Sequence, residues 1–217
     1  MSEDLPTTRI ETALLDLLAD RSFHEIRLAE VAELAGVPLA DLRRAYDGPF
    51  DVLSGFARRI DVAVLAGDDA SMRGEPIKQR LADALMRRFD LLAPHRAGLA
   101  GLSRSARRDP ALAVHLTRLL VGSQAWILEA AGVSAGGPWG AAKATALAVA
   151  VARIAPTFLA EEDAGLPKTM AALDAALDRL GKLAERTGAA RRLLRRWVCR
   201  RRERPAGDGV ETGGSGI

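Results

Sequence analysis

The sequence predicts an all-α protein, and three observations carry that prediction. Hydrophobic residues make up 48% of the 217-residue chain but aromatics only 4%, so the apolar content is mostly Ala and Leu, the strongest helix formers. Apolar positions recur at the three-and-four spacing of a helix face rather than in alternation. Gly and Pro gather between these stretches, where helices stop and start.

Thr7 or Thr8 is suited to cap a first helix in which Ile10, Ala13, Leu14, Leu17 and Leu18 share one face, ending near Asp20. After a link containing Phe23 and Ile26, the segment Leu28 to Ala35 repeats the pattern over two turns, and Gly36 stops it because glycine readily takes the left-handed conformation that ends helices. Pro38 has the φ of a first helical turn, so Leu39 to Tyr46 reads as a short helix with Leu42 inward and Asp41, Arg43 and Arg44 outward. Asp47-Gly48-Pro49 breaks the chain before a helix from Phe50 to about Ala66, and the polar stretch from Gly67 to Glu75 follows.

Pro76 then opens a helix to Ala93, a shorter one runs from about Ala97 to Arg107, and Asp109-Pro110 signals the start of a long helix through Trp126 to Ala131. After the break from Gly132 to Pro138, the segment Trp139 to Leu159 is Ala-rich and apolar nearly all round, which predicts burial on every side. Pro167 to Arg186 is amphipathic through Met170, Leu173, Ala176, Leu177, Leu180 and Leu183. These elements divide as an N-terminal head over residues 1–50, a helical body over 51–187, and a basic helix with a Gly-rich, disordered end over 188–217.

Charge and composition narrow the function. The net charge of +3 hides a local +7 over residues 189–204, leaving residues 1–188 at −2, so the basic pI reports on one segment. One cysteine, Cys199, permits neither an internal disulfide nor a cysteine zinc site. The first thirty residues lack the pattern of a signal peptide, and the longest largely apolar stretch, Ala144 to Ala152, falls well short of the ~20 residues that cross a bilayer, so a cytoplasmic location is expected. Three scattered histidines, no phosphate loop and no serine elbow predict no catalysis, no metal and no cofactor.

Residues 28–46 carry the function. A helix, a tight turn at Gly36 and a second short helix form the helix-turn-helix pattern, in which the second helix enters the DNA major groove, and Ala32, Val37 and Leu42 are shaped to fit the crossing. The DNA contacts this predicts are Arg27, Leu39, Ala40, Arg43, Arg44 and Tyr46, with the two adjacent arginines able to grip guanine or phosphate and Arg27 placed for the backbone. Solvated charges beside Asp41 and Asp47 are the competing account of Arg43 and Arg44. The partner is double-stranded DNA.

From Thr8 to about Phe56 the chain resembles the TetR family of repressors, most clearly in Phe23-His-Glu-Ile-Arg-Leu-Ala-Glu-Val-Ala-Glu-Leu-Ala-Gly-Val37 and in Tyr46 followed by a turn and a fourth helix. The resemblance implies a three-helix head, a divergent ligand-binding and dimerising body, and a homodimer whose ligand alters the spacing of its two heads. The chain departs from that pattern at Pro38, where a Ser or Thr cap is usual, at Arg43 and Ala45, where aromatics are frequent, and at Pro49, where a lysine usually meets phosphate. Residues 1–60 also hold seven arginines and eleven acids, a local −4, an awkward balance for a DNA reader.

The second half carries another resemblance. Arg87-Arg-Phe-Asp-Leu-Leu-Ala-Pro-His-Arg96, Trp126, Trp139 and Phe158-Leu-Ala-Glu-Glu-Asp-Ala-Gly-Leu166 look like the ubiquinone-biosynthesis lipid-binding proteins that share the TetR fold. That implies a pocket for a small apolar or isoprenoid ligand, with Phe89, His95, His115 and Trp126 as candidate contacts, and opens the alternative of a lipid carrier that does not bind DNA. Residues 139–159 together with 167–186 suit a four-helix interface with a second copy. The arginine-rich segment with Trp197 suits contact with an anionic membrane surface or with nucleic acid equally, and a solvated tail without a partner is the competing account.

Overall fold

A computed structural model describes residues 4–67 and 70–202, with side chains described over residues 6–67 and 71–186. The expectations placed on Trp197, Cys199 and the arginine-rich segment therefore lie outside the described side chains. Among the described residues the chain is helical throughout: α1 Asp4–Asp20, α2 Leu28–Ala35, α3 Leu39–Ala45, α4 Pro49–Ala66, α5 Ile77–Leu92, α6 Arg96–Ala106, α7 Pro110–Ala130, α8 Gly137–Ala160 and α9 Pro167–Arg202, with short 3-10 turns at Phe23–Glu25, Ala70–Gly74 and Ala93–His95. The chain forms two compact units, residues 1–178 and 179–217.

Several element ends are set by local chemistry that the sequence displays. Asp109 caps α7 by accepting from the Leu112 N–H at 3.0 Å, with Pro110 at a position whose N–H has no helical partner anyway. Helix α2 ends on Gly36 at φ 64°, ψ 39°, with the Gly36 N–H on the Glu33 carbonyl and the Val37 N–H on the Ala32 carbonyl, both at 3.0 Å. That double bond is a Schellman closure, which needs a left-handed residue at its centre. Helix α1 begins three residues ahead of the predicted cap, because Pro6 falls in a first turn that tolerates proline and does not delay it.

Helix α1 is the shared element, packing on α2, α3, α4 and α6. Ile10, Leu14 and Leu18 of α1, Val31 and Ala35 of α2, and Leu42 of α3 are buried together with Phe23 and Ile26 of the corner. The crossing with α6 is unusually close. A Cβ at Gly98 would lie 2.2 Å from the Leu15 carbonyl oxygen, and one at Gly101 would lie 1.6 Å from that of Leu18, so only glycine lets these backbones meet.

Helix α4 links this head to the remaining helices. Its Phe50 ring stands edge-on to Phe23 at 5.1 Å and to His115 of α7 at 5.0 Å, and its Asp61 pairs with buried Arg88 of α5 and accepts from Ser123 of α7. Helix α8 corrects the expectation of all-round burial. Ala144, Leu147, Ala148, Val151, Ile154 and Phe158 face the core, while Trp139 and Val149 are 57% and 46% exposed, because only one side of the helix meets the rest of this chain.

Helices α7 and α8 are each long and apolar enough to cross a bilayer by length and composition, against the expectation that no segment is. The uninterrupted apolar run is short, but scattered Gly, Ser and Thr barely lower the average over a longer window. Helix α7 packs against α4, α5, α6 and α8, and α8 packs against α6 as well.

Candidate nucleic-acid interface

The outer side of α3 is the candidate reading surface. Leu42 is buried at 1% exposure and anchors the helix, while Leu39, Ala40, Asp41, Arg43 and Arg44 are exposed. Pro38 is the N-cap and supplies no side-chain bond, so the first turn of α3 lacks the Ser or Thr cap that the sequence comparison with repressors called for.

Both arginines on that surface have acidic neighbours. Arg43 pairs with Asp47 at 2.8 Å and Arg44 pairs with Asp41, and all four side chains are well exposed. Exposed pairs of this kind contribute about 0–1 kcal/mol, so exchanging aspartate for a phosphate or a guanine edge costs little. Arg27 stands at the N-cap of α2, where its side chain meets Glu30 at 3.1 Å and its N–H donates to the same carboxylate at 3.0 Å. Arg21 adds a third contact at 3.3 Å. These donors hold the Glu30 carboxyl down at about 2, so the charge of Arg27 is compensated at rest.

Tyr46 does not present itself to DNA. It is 7% exposed, and its hydroxyl donates to Glu11 Oε1 at 2.9 Å. Burial, followed by that carboxylate, pushes its pKa well above the usual tyrosine value. Arg59 Nε of α4 donates to the other oxygen of Glu11, so one buried carboxylate of α1 ties the end of α3 to α4. The sequence signal for this cluster is an acid placed between Ile10 and Leu14 on an otherwise apolar face, which helical periodicity alone treats as a surface residue.

None of the four candidate ligand contacts lines the cleft between α5 and α9 or the cleft at the corner between α1 and α2. Phe89 is buried with its ring 4.9 Å from Phe158. His95 stands edge-on to Phe56 at 5.1 Å. His115 donates from Nε2 to the Phe50 carbonyl at 3.0 Å, since a carbonyl only accepts and the proton must therefore sit on that nitrogen. Trp126 is 60% exposed on α7. The cleft between α5 and α9, of about 700 Å³, lies elsewhere and is lined by Ala82, Met86, Met170 and Leu173 together with Asp163, Gly165 and Pro167. Gln124 of α7, which sequence reasoning passed over, is fully buried with neither amide atom partnered.

The architecture has close counterparts among solved structures. A TetR-family transcriptional regulator from Rhodococcus sp. superposes with a TM-score of 0.57 at 20% identity, over 81% of this chain and 98% of that one. The fold is that of the TetR regulators. A TetR transcriptional regulator from Rhodococcus sp. RHA1 gives a TM-score of 0.51 at 18% identity, over 83% and 97% of the two chains. No family model and no curated protein matches the sequence. The TetR fold thus accounts for about four fifths of this chain, well beyond the residues 8–56 over which the sequence resembles that family.

Proposed function

We propose that this protein is a transcriptional regulator of the TetR type, which binds double-stranded DNA as a homodimer and responds to a small apolar ligand. The observation that carries the reading is the exposed face of α3, held outward by buried Leu42 on a helix pair closed by the Schellman turn at Gly36. A rigid helix of this size offering Arg43 and Arg44 is suited to the major groove. The head spans residues up to about 50 and α4 begins the body. A regulator acts where the DNA is, which fits a cytoplasmic location and calls for no catalytic chemistry.

Dimerisation is supported by the outer face of α8, where Ala142, Thr145, Val149 and Ala152 leave a smooth, largely apolar strip exposed. Such a strip is stabilised by covering it with a second copy. Ligand response is supported by the backbone contact between α1 and α6. A shift of α6 must carry α1 with it, because no side chains lie between them to absorb the motion. The cleft at Met86 and Met170 is the best candidate for the ligand, with adaptable thioethers on both sides. Two of the similar structures are TetR regulators, and nothing comparable favours the carrier reading.

Electrophoretic mobility shift with the DNA upstream of the protein's own coding sequence tests the proposal. Salt-sensitive binding is expected, and Arg43→Ala with Arg44→Ala should abolish specific retardation with the helical circular dichroism intact. A folded dimer that binds no duplex at any salt concentration overturns it.

A further inference from the structure

The TetR-type head of this chain is short of phosphate-binding charge. Arg27, Arg43 and Arg44 can exchange their carboxylates for phosphate, but Glu30, Asp47 and Asp41 stay beside them, and acids outnumber arginines by eleven to seven over residues 1–60, so the net field that the head offers a duplex is unfavourable. Duplex binding draws a large share of its affinity from phosphate contacts, so cations from elsewhere must make up the difference if this head is to hold DNA.

The end of α6 brings them. Arg104 lies in its last turn and Arg107 and Arg108 follow directly, all three exposed. Their position relative to the head is fixed by four backbone-level contacts. Gly98 and Gly101 seat α6 on the carbonyls of Leu15 and Leu18. Buried Ser105 Oγ accepts from the Phe23 N–H at 3.1 Å, and Arg104 Nη2 donates to the Ala19 carbonyl at 2.8 Å. The three arginines thus border a polar cleft of about 370 Å³ together with Ser22 and His24 of the corner between α1 and α2. That corner ends two residues before Arg27, at the N-terminus of α2, the first helix of the pair, which in a helix-turn-helix crosses the sugar-phosphate backbone.

The acids of the cleft leave Arg107 and Arg108 available. Asp109 is committed to capping Leu112, Glu25 accepts from the Ser22 N–H at 3.0 Å, and Asp20 is exposed. Among the described residues neither Arg107 nor Arg108 takes part in an ion pair.

We propose that Arg107 and Arg108, held beside the head by the α1–α6 contact, grip DNA phosphates flanking the base pairs that α3 reads, with Arg104 as the positioning residue. The inference rests on the regulator reading and adds to it that the body of the protein touches DNA directly. A change in the seating of α6 then alters phosphate contact as well as the posture of the head.

Phosphate contacts are independent of sequence, so a random-sequence duplex suffices as the probe. Fluorescence anisotropy over a series of salt concentrations compares the full-length protein with R107A/R108A, R107K/R108K and R43A/R44A. Each lost phosphate contact flattens the slope of log K against log salt by about 0.9, so R107A/R108A is expected to lower the slope magnitude by roughly 2 per bound protomer while the lysine pair retains it. An unchanged slope in R107A/R108A, with R43A/R44A flattening it, overturns the proposal and leaves the regulator reading standing. Absence of salt-dependent binding by the parent protein overturns both. Stabilisation of the parent by pyrophosphate that is lost in R107A/R108A, without any change in DNA slope, overturns the DNA assignment in favour of a free anion.

Discussion

The hydroxyl of Tyr46, at the end of α3, is bound to the carboxylate of Glu11 in the middle of α1, 2.9 Å away in the interior. Arg59 from α4 completes the cluster, and Gly55 makes room for it, since a Cβ there would lie 2.7 Å from the Tyr46 ring. A buried carboxylate is tolerable only when donors surround it. Three helices meet on this one acid, and the angle at which α3 stands out from the head depends on it.

Tyr46→Phe therefore removes a donor from a buried acceptor and keeps the ring. The expected cost is about 1–3 kcal/mol, read as a lower urea midpoint at unchanged slope. Glu11→Ala should cost more, because it strands Arg59 as well. If Tyr46→Phe leaves stability unchanged and weakens DNA binding alone, the tyrosine faces DNA and the cluster is misread.

The glycines of this chain should separate by environment. Gly101→Ala pushes a methyl into the Leu18 carbonyl and is expected to cost about 2–3 kcal/mol or more, as overpacking of a close contact does. Gly122→Ala, at an exposed position of α7 with open space around its Cβ position, should stabilise by up to about 1 kcal/mol through helix propensity. Thermal unfolding of the two variants gives the comparison, and equal effects would disprove the close crossing.

Asp61 and Arg88 form an interior pair between α4 and α5. Asp61→Leu leaves Arg88 buried and unpaired, with an expected loss of about 3–5 kcal/mol. Changing both residues to hydrophobic ones should recover much of that loss. A double mutant no better than the single would show that the guanidinium is satisfied elsewhere.

Gln124→Leu should raise the melting temperature, because it removes two buried polar atoms that have no partner and keeps most of the volume. A lower melting temperature would mean that the amide is satisfied by something bound inside the body.

Acid should weaken the fold through His95. Burial, and secondarily the charge of Arg59, lower its pKa below the usual histidine value, so folding prefers the neutral ring. Its contribution is complete above the unfolded value of about 6.5 and is lost as pH falls below it toward the folded pKa. Denaturation midpoints should decline over that window, and His95→Gln should flatten the decline. A profile identical in the variant would assign the acid sensitivity to other groups.

Much of this protein is written locally. Gly36 ends α2 because its own φ is free to turn positive, Asp109-Pro110 starts α7 because the cap and the missing N–H are one residue apart, and the spacing of Ile10, Leu14 and Leu18 selects the buried face of α1. Propensity, caps and periodicity depend on neighbours within a turn or two, so the order of helices and the outward face of α3 follow from sequence. The fates of Tyr46, Trp126 and the glycines of α6 do not. A tyrosine expected at DNA is buried because Glu11, thirty-five positions earlier, lies opposite it. A tryptophan expected at a ligand pocket is 60% exposed, because among the described residues no helix covers that side of α7. Gly98 and Gly101 look like weak points in a helix until Leu15 and Leu18 are brought against them. Each outcome is set by a partner far along the chain, and only packing decides which distant residues become neighbours.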